Sequence, residues 1–284
     1  MYHLCFYKMI KKLSFIIGLV TLPFLVSAQS ISLPFSSRYD EDATLLFGIQ
    51  YSYVNSRYVM GLKKDWSGYP LDYPEGNINE IKDLRSIKSG VGHGMGVGIP
   101  IHLRITDNLY STLSPTFVFI NNSSIIYTGT NDDGTTQKSL TRRTRHTTRS
   151  EGGTNFNSFE FPLSLKFRSD EKILKNKFNR YRGYMIAGVK WTKWSQLSND
   201  YDALMASNQQ SPDPIIIKPD YLSWEAGIGA DIFFTHFKVS PEIKFAQSFG
   251  NVLDQNHPLA VNNKFMRPLD KTLIRNVYFS LIFQ

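Results

Sequence analysis

Apolar and polar residues alternate one by one in eight separate stretches of this chain, a period that fits the pleat of a half-buried strand and not the face of a helix. From Thr44 to Val54, Leu45, Phe47, Ile49, Tyr51 and Tyr53 share one face, and Gly48, Gln50 and Ser52 the other. From Ser89 to Ile105 the odd positions are Val91, His93, Met95, Val97, Ile99, Ile101, Leu103 and Ile105, while the even ones open with Gly90, Gly92, Gly94, Gly96 and Gly98. Asn108 to Ile120 sets Leu109, Leu113, Phe117 and Phe119 against Tyr110, Thr112, Ser114 and Thr116. The clearest stretch sets Phe159, Phe161, Leu163, Leu165 and Phe167 against Glu160, Ser164, Lys166 and Arg168. Tyr181 to Trp191, Tyr221 to Phe234, Phe237 to Phe245 and Leu273 to Phe283 complete the set.

A soluble β-sandwich alternates too, so the connections must discriminate. Along the chain they run long (55 to 88), very short (106 to 107), long (121 to 154), medium (169 to 180), long (about 194 to 220), very short (235 to 236) and long (about 250 to 270). Outer-membrane barrels alternate short periplasmic turns with long outer loops in this order. The expected fold is therefore all-β: an eight-stranded antiparallel up-and-down transmembrane β-barrel with long outer loops and both ends of the strand set in the periplasm. Mean hydropathy of −0.25 does not oppose this, because lumen-facing polar residues offset the lipid-facing ones. The glycine stripe fits the inside of a narrow barrel. Read instead as a phosphate loop, it lacks the Lys-Ser/Thr ending and the following helix.

On the lipid face, Tyr51, Tyr53, Trp191, Trp194 and Trp224 are expected at the outer interface and Tyr181, Phe234, Phe237, Phe279 and Phe283 at the inner one. Phe283, one residue from the end, gives the last strand the aromatic finish that outer-membrane assembly machinery commonly recognises. Pro100, Pro115, Pro162 and Pro241 fall inside strands of a sheet with no free edge, so bulges or kinks are expected there.

Ahead of the strands, Lys8, Lys11 and Lys12 precede an apolar run from Leu13 to Val26, and Val26-Ser27-Ala28 offers a small-residue cleavage site. The run is short of the about 20 residues a spanning helix needs and contains Pro23. Met9 offers a second initiator. The expected division is a cleaved signal peptide over 1–28, a periplasmic segment over 29–43 and the barrel over 44–284, with the outer membrane as destination. Cys5, the single cysteine, lies in the leader, which closes thiol chemistry in the mature chain. Cleavage also removes three lysines, leaving 29 basic and 24 acidic residues, a balance that does not argue for nucleic acid.

An eight-stranded barrel has room for little beyond its own side chains. The inward groups Arg104, Glu160, Lys166, Arg168, Lys190, Glu225, Asp231, Glu242 and Lys244, with His102 and Arg182, mix both signs and are expected to form a mutually paired lumen network. Glu160, Glu225 and Glu242 could instead serve as general acids or bases, but no nucleophile, histidine partner at fixed spacing or substrate signature accompanies them. His93, His102, His146, His236 and His257 show no ligand spacing, so no catalytic residue, metal or cofactor is expected. In the second outer loop, Arg142, Arg143, Arg145 and Arg149 form either a solvated charge run or a contact for lipopolysaccharide or an acidic partner. Asp132-Asp133-Gly134 is a turn, and the lysine-rich link from Asp170 to Arg180 is the periplasmic segment large enough to meet another protein.

Four stretches resemble the PorT family of outer-membrane β-barrels. They are Ser158-Phe159-Glu160-Phe161-Pro162-Leu163-Ser164-Leu165-Lys166-Phe167, Tyr184-Met185-Ile186-Ala187-Gly188-Val189-Lys190-Trp191, Trp224-Glu225-Ala226-Gly227-Ile228-Gly229-Ala230-Asp231 and Lys238-Val239-Ser240-Pro241-Glu242-Ile243-Lys244-Phe245. The resemblance is best from about residue 158 to 284, and it makes Pro162 and Pro241 family features. It implies a non-enzymatic component of the type IX secretion apparatus, which exports proteins bearing C-terminal sorting domains and supports gliding motility. The implied partners are other components of that apparatus. The residues by themselves leave open a free-standing structural or adhesive barrel binding surface ligands through its outer loops, and a membrane-embedded hydrolase or acyltransferase.

Overall fold

The computed structural model describes residues 31–32, 43–69, 71, 81–121, 123–130, 137–144, 155–173, 180–206 and 213–284. The expected leader, most of the segment 29–43, the Asp132-Asp133-Gly134 turn, Arg145, His146 and Arg149 lie outside the described residues.

Eight staves run up and down. The first is Leu45–Phe47 with Ile49–Leu62, the second Val91–Gly98 with Ile101–Arg104, and the third Leu109–Leu113 with Thr116–Asn121. The rest are Asn155–Arg168, Arg180–Trp194, Asp220–Phe233, Lys238–Ser248 and Leu269–Phe283. Each stave pairs antiparallel with the next along the chain. The eighth pairs with the first, from Leu269 opposite Leu62 to Phe283 opposite Ile49, so the pairings return to their starting strand. The strand count nevertheless exceeds the expected eight. Three staves are each interrupted once, and the five short strands Ile31–Ser32, Asp83–Ser89, Ser124–Thr130, Gln137–Arg143 and Lys172–Ile173 lie outside the staves.

At the prolines no bulge forms: Pro100 and Pro115 fall in gaps between strands, Pro162 and Pro241 lie within theirs, and the pairing register holds across all four. Gly98 faces Thr116 and Ile101 faces Leu113, one register on both sides of Pro100 and Pro115. The fourth stave keeps a single register with the fifth across Pro162, as does the seventh with the eighth across Pro241. Each proline deletes one ladder donor and leaves the carbonyls in use: Gly48 N donates to Pro100 O, Ile99 N to Pro115 O and Ser114 N to Pro162 O. The Ser114 carbonyl, which faces Pro162 and finds no N–H there, accepts from the Thr116 hydroxyl at 2.8 Å. A bulge is unnecessary where the lost donor is replaced locally.

The barrel is built inside out. Met95, Leu163, Leu165, Phe167, Met185 and Ile228 are between 52 and 67% exposed on the outer face, whereas Glu160, Lys166, Arg168, Lys190 and Asp231 are buried in the lumen. Large apolar side chains on the whole circumference are stable only if the surrounding solvent is itself apolar, which is the condition of a transmembrane barrel. Two details of the expected girdles change. Trp194 shares parity with Lys190 and Thr192, points inward and is 5% exposed. Phe279 is the direct partner of Tyr53, with ring centroids 6.3 Å apart, so those two occupy one level and not opposite interfaces.

The long outer connections are built structures. The first stave continues to Leu62, eight residues past the expected Val54, and the strands Asp83–Ser89, Ser124–Thr130 and Gln137–Arg143 form a separate antiparallel sheet beside it. The helix Leu197–Ala206 starts with Asp200 in its first turn, favourable to the helix dipole, and buries Leu197 and Tyr201, four residues apart on one face. Ile125, Tyr127, Ile215, Ile216, Ile217, Leu253 and Phe265 form an apolar core continuous with Val54, Ile120, Ala246, Ile274 and Tyr278 of the staves. This cap roofs the outer end of the barrel.

Candidate functional site

The lumen gathers the chemistry-bearing residues, because parity sends every second residue of each stave inward. Five cations, Lys166, Arg168, Lys190, Lys238 and Lys244, meet four carboxylates, Glu160, Glu225, Asp231 and Glu242, all buried. All nine come from the fourth to the seventh staves, while Gln50 and Ser52 of the first stave and Ser280 of the eighth form a neutral chain, with Ser52 Oγ 2.8 Å from both Gln50 Nε2 and Ser280 Oγ.

Three tiers result. Toward the periplasm, Asp231 Oδ1 accepts from Lys166 Nζ at 2.8 Å and Ser240 Oγ at 2.6 Å, and its Oδ2 lies 3.6 Å from Arg168 and 4.0 Å from Lys238. The Arg168 guanidinium lies over the Tyr110 ring at 4.4 Å. At mid-height, Ser164 Oγ donates to Glu225 at 2.6 Å, Lys244 sits 3.5 Å from both Glu225 and Glu242, and Tyr184 donates to Glu242 at 3.0 Å. Lys166 Nζ, 3.6 Å from the Tyr184 ring centroid, joins the two tiers. Under the cap, Glu160 pairs with Lys190 at 3.0 Å and accepts from the Tyr278 hydroxyl at 2.8 Å, and Lys190 also contacts that hydroxyl.

Glycines provide the room. A Cβ on Gly229 would stand 2.3 Å from Tyr184 Cζ, and one on Gly227 2.6 Å from Lys244 Cγ, so the wall must be bare where these side chains cross it.

Of the residues expected in this network, Arg104 is absent from the interior. It ends the second stave at the periplasmic mouth, where it pairs with the exposed Asp107 three residues on. That guanidinium, chiefly through its hydrogen bond, holds the Asp107 carboxyl below the usual aspartate range. Arg182 also stands at the rim, 3.7 Å from Glu171, and a cavity of about 300 Å³ opens there between Arg104, Asp107, Asp170, Glu171 and Arg182. Sequence reasoning left Lys238, Tyr184 and Tyr278 off the list of network residues, although all three have inward parity.

The outer arginines separate. Arg142 lies 3.9 Å over the Phe265 ring and packs against the cap, while Arg143 is exposed at the end of the strand Gln137–Arg143. Among the histidines, His93 meets Tyr53 on the outer face, His102 meets Thr112 in the lumen, and His257 accepts from Leu259 N in an outer connection. No group of three or more His, Cys, Asp or Glu side chains converges among the described residues.

No family model and no curated protein matches this chain. Among solved structures it is similar to Ail, the attachment invasion locus protein of Yersinia pestis, at 11% identity over 84% of this chain and 96% of that one, with a TM-score of 0.30. It is similar to the outer membrane protein OprG from Pseudomonas aeruginosa at 13% identity over 84% and 93%, with a TM-score of 0.36. LpxR from Salmonella typhimurium follows at 9% identity over 80% and 99%, with a TM-score of 0.20. Likeness at this level carries no residue role across to this chain.

Proposed function

We propose that this chain is a non-enzymatic outer-membrane component of a type IX secretion apparatus, acting through contacts at its two ends and not as the conduit for cargo. The filled lumen carries the reading. Four carboxylates and five cations cross-link the interior, and the cap's apolar core closes it above. Neither cargo nor substrate can reach Glu160, Glu225 or Glu242 without dismantling these pairs, which leaves the surfaces as the working parts.

The assignment to type IX secretion rests on the resemblance to the PorT family. The four stretches that carry it contribute Glu160, Lys166, Lys190, Glu225, Asp231, Lys238, Glu242 and Lys244, so they are the stretches that build the plug. At the periplasmic end, the rim of Arg104, Asp107, Glu171 and Arg182 offers charges of both signs to another component. The exposed apolar belt supports an outer-membrane placement, with lipid and lipopolysaccharide around it.

Deletion of the gene tests this. Cargo with a C-terminal sorting domain should stay in the periplasm and return to the surface on complementation; normal delivery in the deletion strain removes the secretion role. The built outer cap supports a second reading, a free-standing adhesive barrel. That reading predicts normal cargo delivery together with lost attachment to surface ligands.

A further inference from the structure

On the outer face of the barrel two arginines stand directly opposite one another. Arg57 of the first stave pairs with Arg275 of the eighth, and both have outward parity, Arg57 exposed and Arg275 half-buried. Like charges at facing positions of a sheet repel. The contacts of Arg275 are neutral: Gln247 Oε1 accepts from its Nε at 3.0 Å and its Nη2 at 2.8 Å, and the Phe245 ring centroid lies 5.4 Å from its guanidinium. On its other side Arg57 faces Val91. Three buried lumen cations, Lys166, Lys190 and Lys244, each stand within 3.5 Å of a carboxylate. Among the described residues neither Arg57 nor Arg275 forms an ion pair.

The surface beneath the pair changes level by level. Trp224, opposite Gln247 at the height of the arginines, is an exposed aromatic of the kind that sits at a membrane interface. One level toward the membrane centre Asn55 faces His93, whose Nδ1 lies 2.5 Å from the Tyr53 hydroxyl. Lower still, a groove of about 850 Å³ crosses the outer face among the exposed side chains of Tyr51, Tyr53, Met95, Ile243, Phe279 and Leu281. From Tyr53 to Arg57 is four residues, about 13 Å along the strand. Cations, then neutral polar groups, then an apolar groove follow the order of an anionic amphiphile.

We infer that this face binds a phosphorylated glycolipid of the outer leaflet, the lipid A part of lipopolysaccharide, with a phosphate monoester across Arg57 and Arg275 and an acyl chain in the groove. A phosphate monoester carries about −1.5 to −2 charges near neutral pH, enough to offset both guanidinium groups, and each planar fork can meet it with two parallel N–H donors. A phosphodiester head group offers about half that charge. Asn55 and His93 stand where the saccharide hydroxyls would lie, between phosphate and chain. The inference rests on the outer-membrane placement proposed above and is independent of the secretion role.

The test uses the full-length protein in a non-ionic detergent, with bound lipid A counted by native mass spectrometry across a titration. Arg57→Gln with Arg275→Gln should weaken binding about tenfold or more, since the charge-assisted contacts are lost. Lys172→Gln, at the periplasmic end, should leave it unchanged. Lipid A stripped of its phosphates should bind the native protein no better than the intact form binds the double variant. The deacylated phosphosaccharide, which has no chain for the groove, should bind about tenfold more weakly than lipid A or worse. An unchanged double variant overturns the inference, as does equal binding of the phosphate-free or the deacylated form. Phosphatidylglycerol or inorganic phosphate bound as tightly as lipid A also overturns it, by assigning the arginines to a phosphodiester lipid or to a free ion. Without lipid, Arg57→Gln removes a repulsion and should leave the urea midpoint at or above the native one; a lower midpoint overturns the inference by revealing a counter-charge within the chain. A native far-UV circular dichroism spectrum shows that each variant is folded. Cargo delivery in cells is read separately, so failure here is distinguishable from failure of the secretion reading.

Discussion

In the barrel, Phe159, Phe161, Leu163, Leu165 and Phe167 point out while Glu160, Lys166 and Arg168 point in; in the cap, Ile125, Tyr127, Leu140 and Phe265 point in while Thr141 and Arg143 point out. The two regions join at Tyr278, whose ring belongs to the apolar cluster and whose hydroxyl donates to Glu160. The inversion follows from the solvent each region faces, lipid below and water above. It also separates what each region depends on. The cap's core is a set of interchangeable packing contacts, whereas the barrel's core is a small set of charges that must stay matched. Removing one partner of a buried ion pair costs far more than the pair itself contributes.

The sharpest way to break this comparison is Asp231→Asn. It removes the carboxylate that Lys166, Arg168 and Lys238 share in the lumen and should cost about 3–5 kcal/mol, read as a lowered urea midpoint of the barrel. Lys166→Met should cost less, since Arg168 and Lys238 still face Asp231; equal costs would show that the tier does not act as one network. Phe265→Ala should remove about 3 kcal/mol from the cap by leaving a cavity under Tyr127 and Arg142. Protease cleavage of the outer connections should then speed up while the barrel midpoint holds, and a joint loss would make the regions a single unit. Gly229→Val should cost about 1–3 kcal/mol by driving the new side chain into Tyr184, with the cap unaffected.

The barrel was legible in sequence because parity is a local rule. Once Phe159 faces lipid, Glu160 faces the lumen, and the same step assigns Lys190, Asp231 and Glu242. Applied without exception it also places Trp194, Lys238, Tyr184 and Tyr278 inside; reading Trp194 as an interface aromatic put residue type ahead of parity. Arg104 escaped because parity gives a direction but not a depth, and a long side chain on the last residue of a stave emerges at the mouth. The cap was hidden for a different reason. Its core draws Ile125 and Tyr127, Ile215 to Ile217, Leu253 and Phe265 from separate connections, so no window of sequence shows a period. The run Ile215-Ile216-Ile217, amid polar neighbours, was the one local sign of a buried segment there.

Asp213 gives the smallest expected effect and a pH signature confined to the cap. It stands beside that core, and burial, partly offset by the Lys264 backbone N–H and by Arg142, pushes its carboxyl above the ordinary aspartate value. The unfolded chain therefore gives up this proton first, and between the ordinary value of about 4 and the raised one the folded cap holds more protons. Cap stability from this group is full below that window, declines as pH rises through it and is flat above. Asp213→Asn keeps an acceptor for the Lys264 N–H and removes the charge, so it should abolish the decline and leave the cap at neutral pH no weaker than the native one. Proteolysis rates of the outer connections between about pH 4 and 7 read this directly, while the barrel midpoint should be the same in both proteins. Native cap resistance that rises across the window would mean the Asp213 carboxylate stabilises the folded cap, and the cap would then depend on charge pairing as the barrel does.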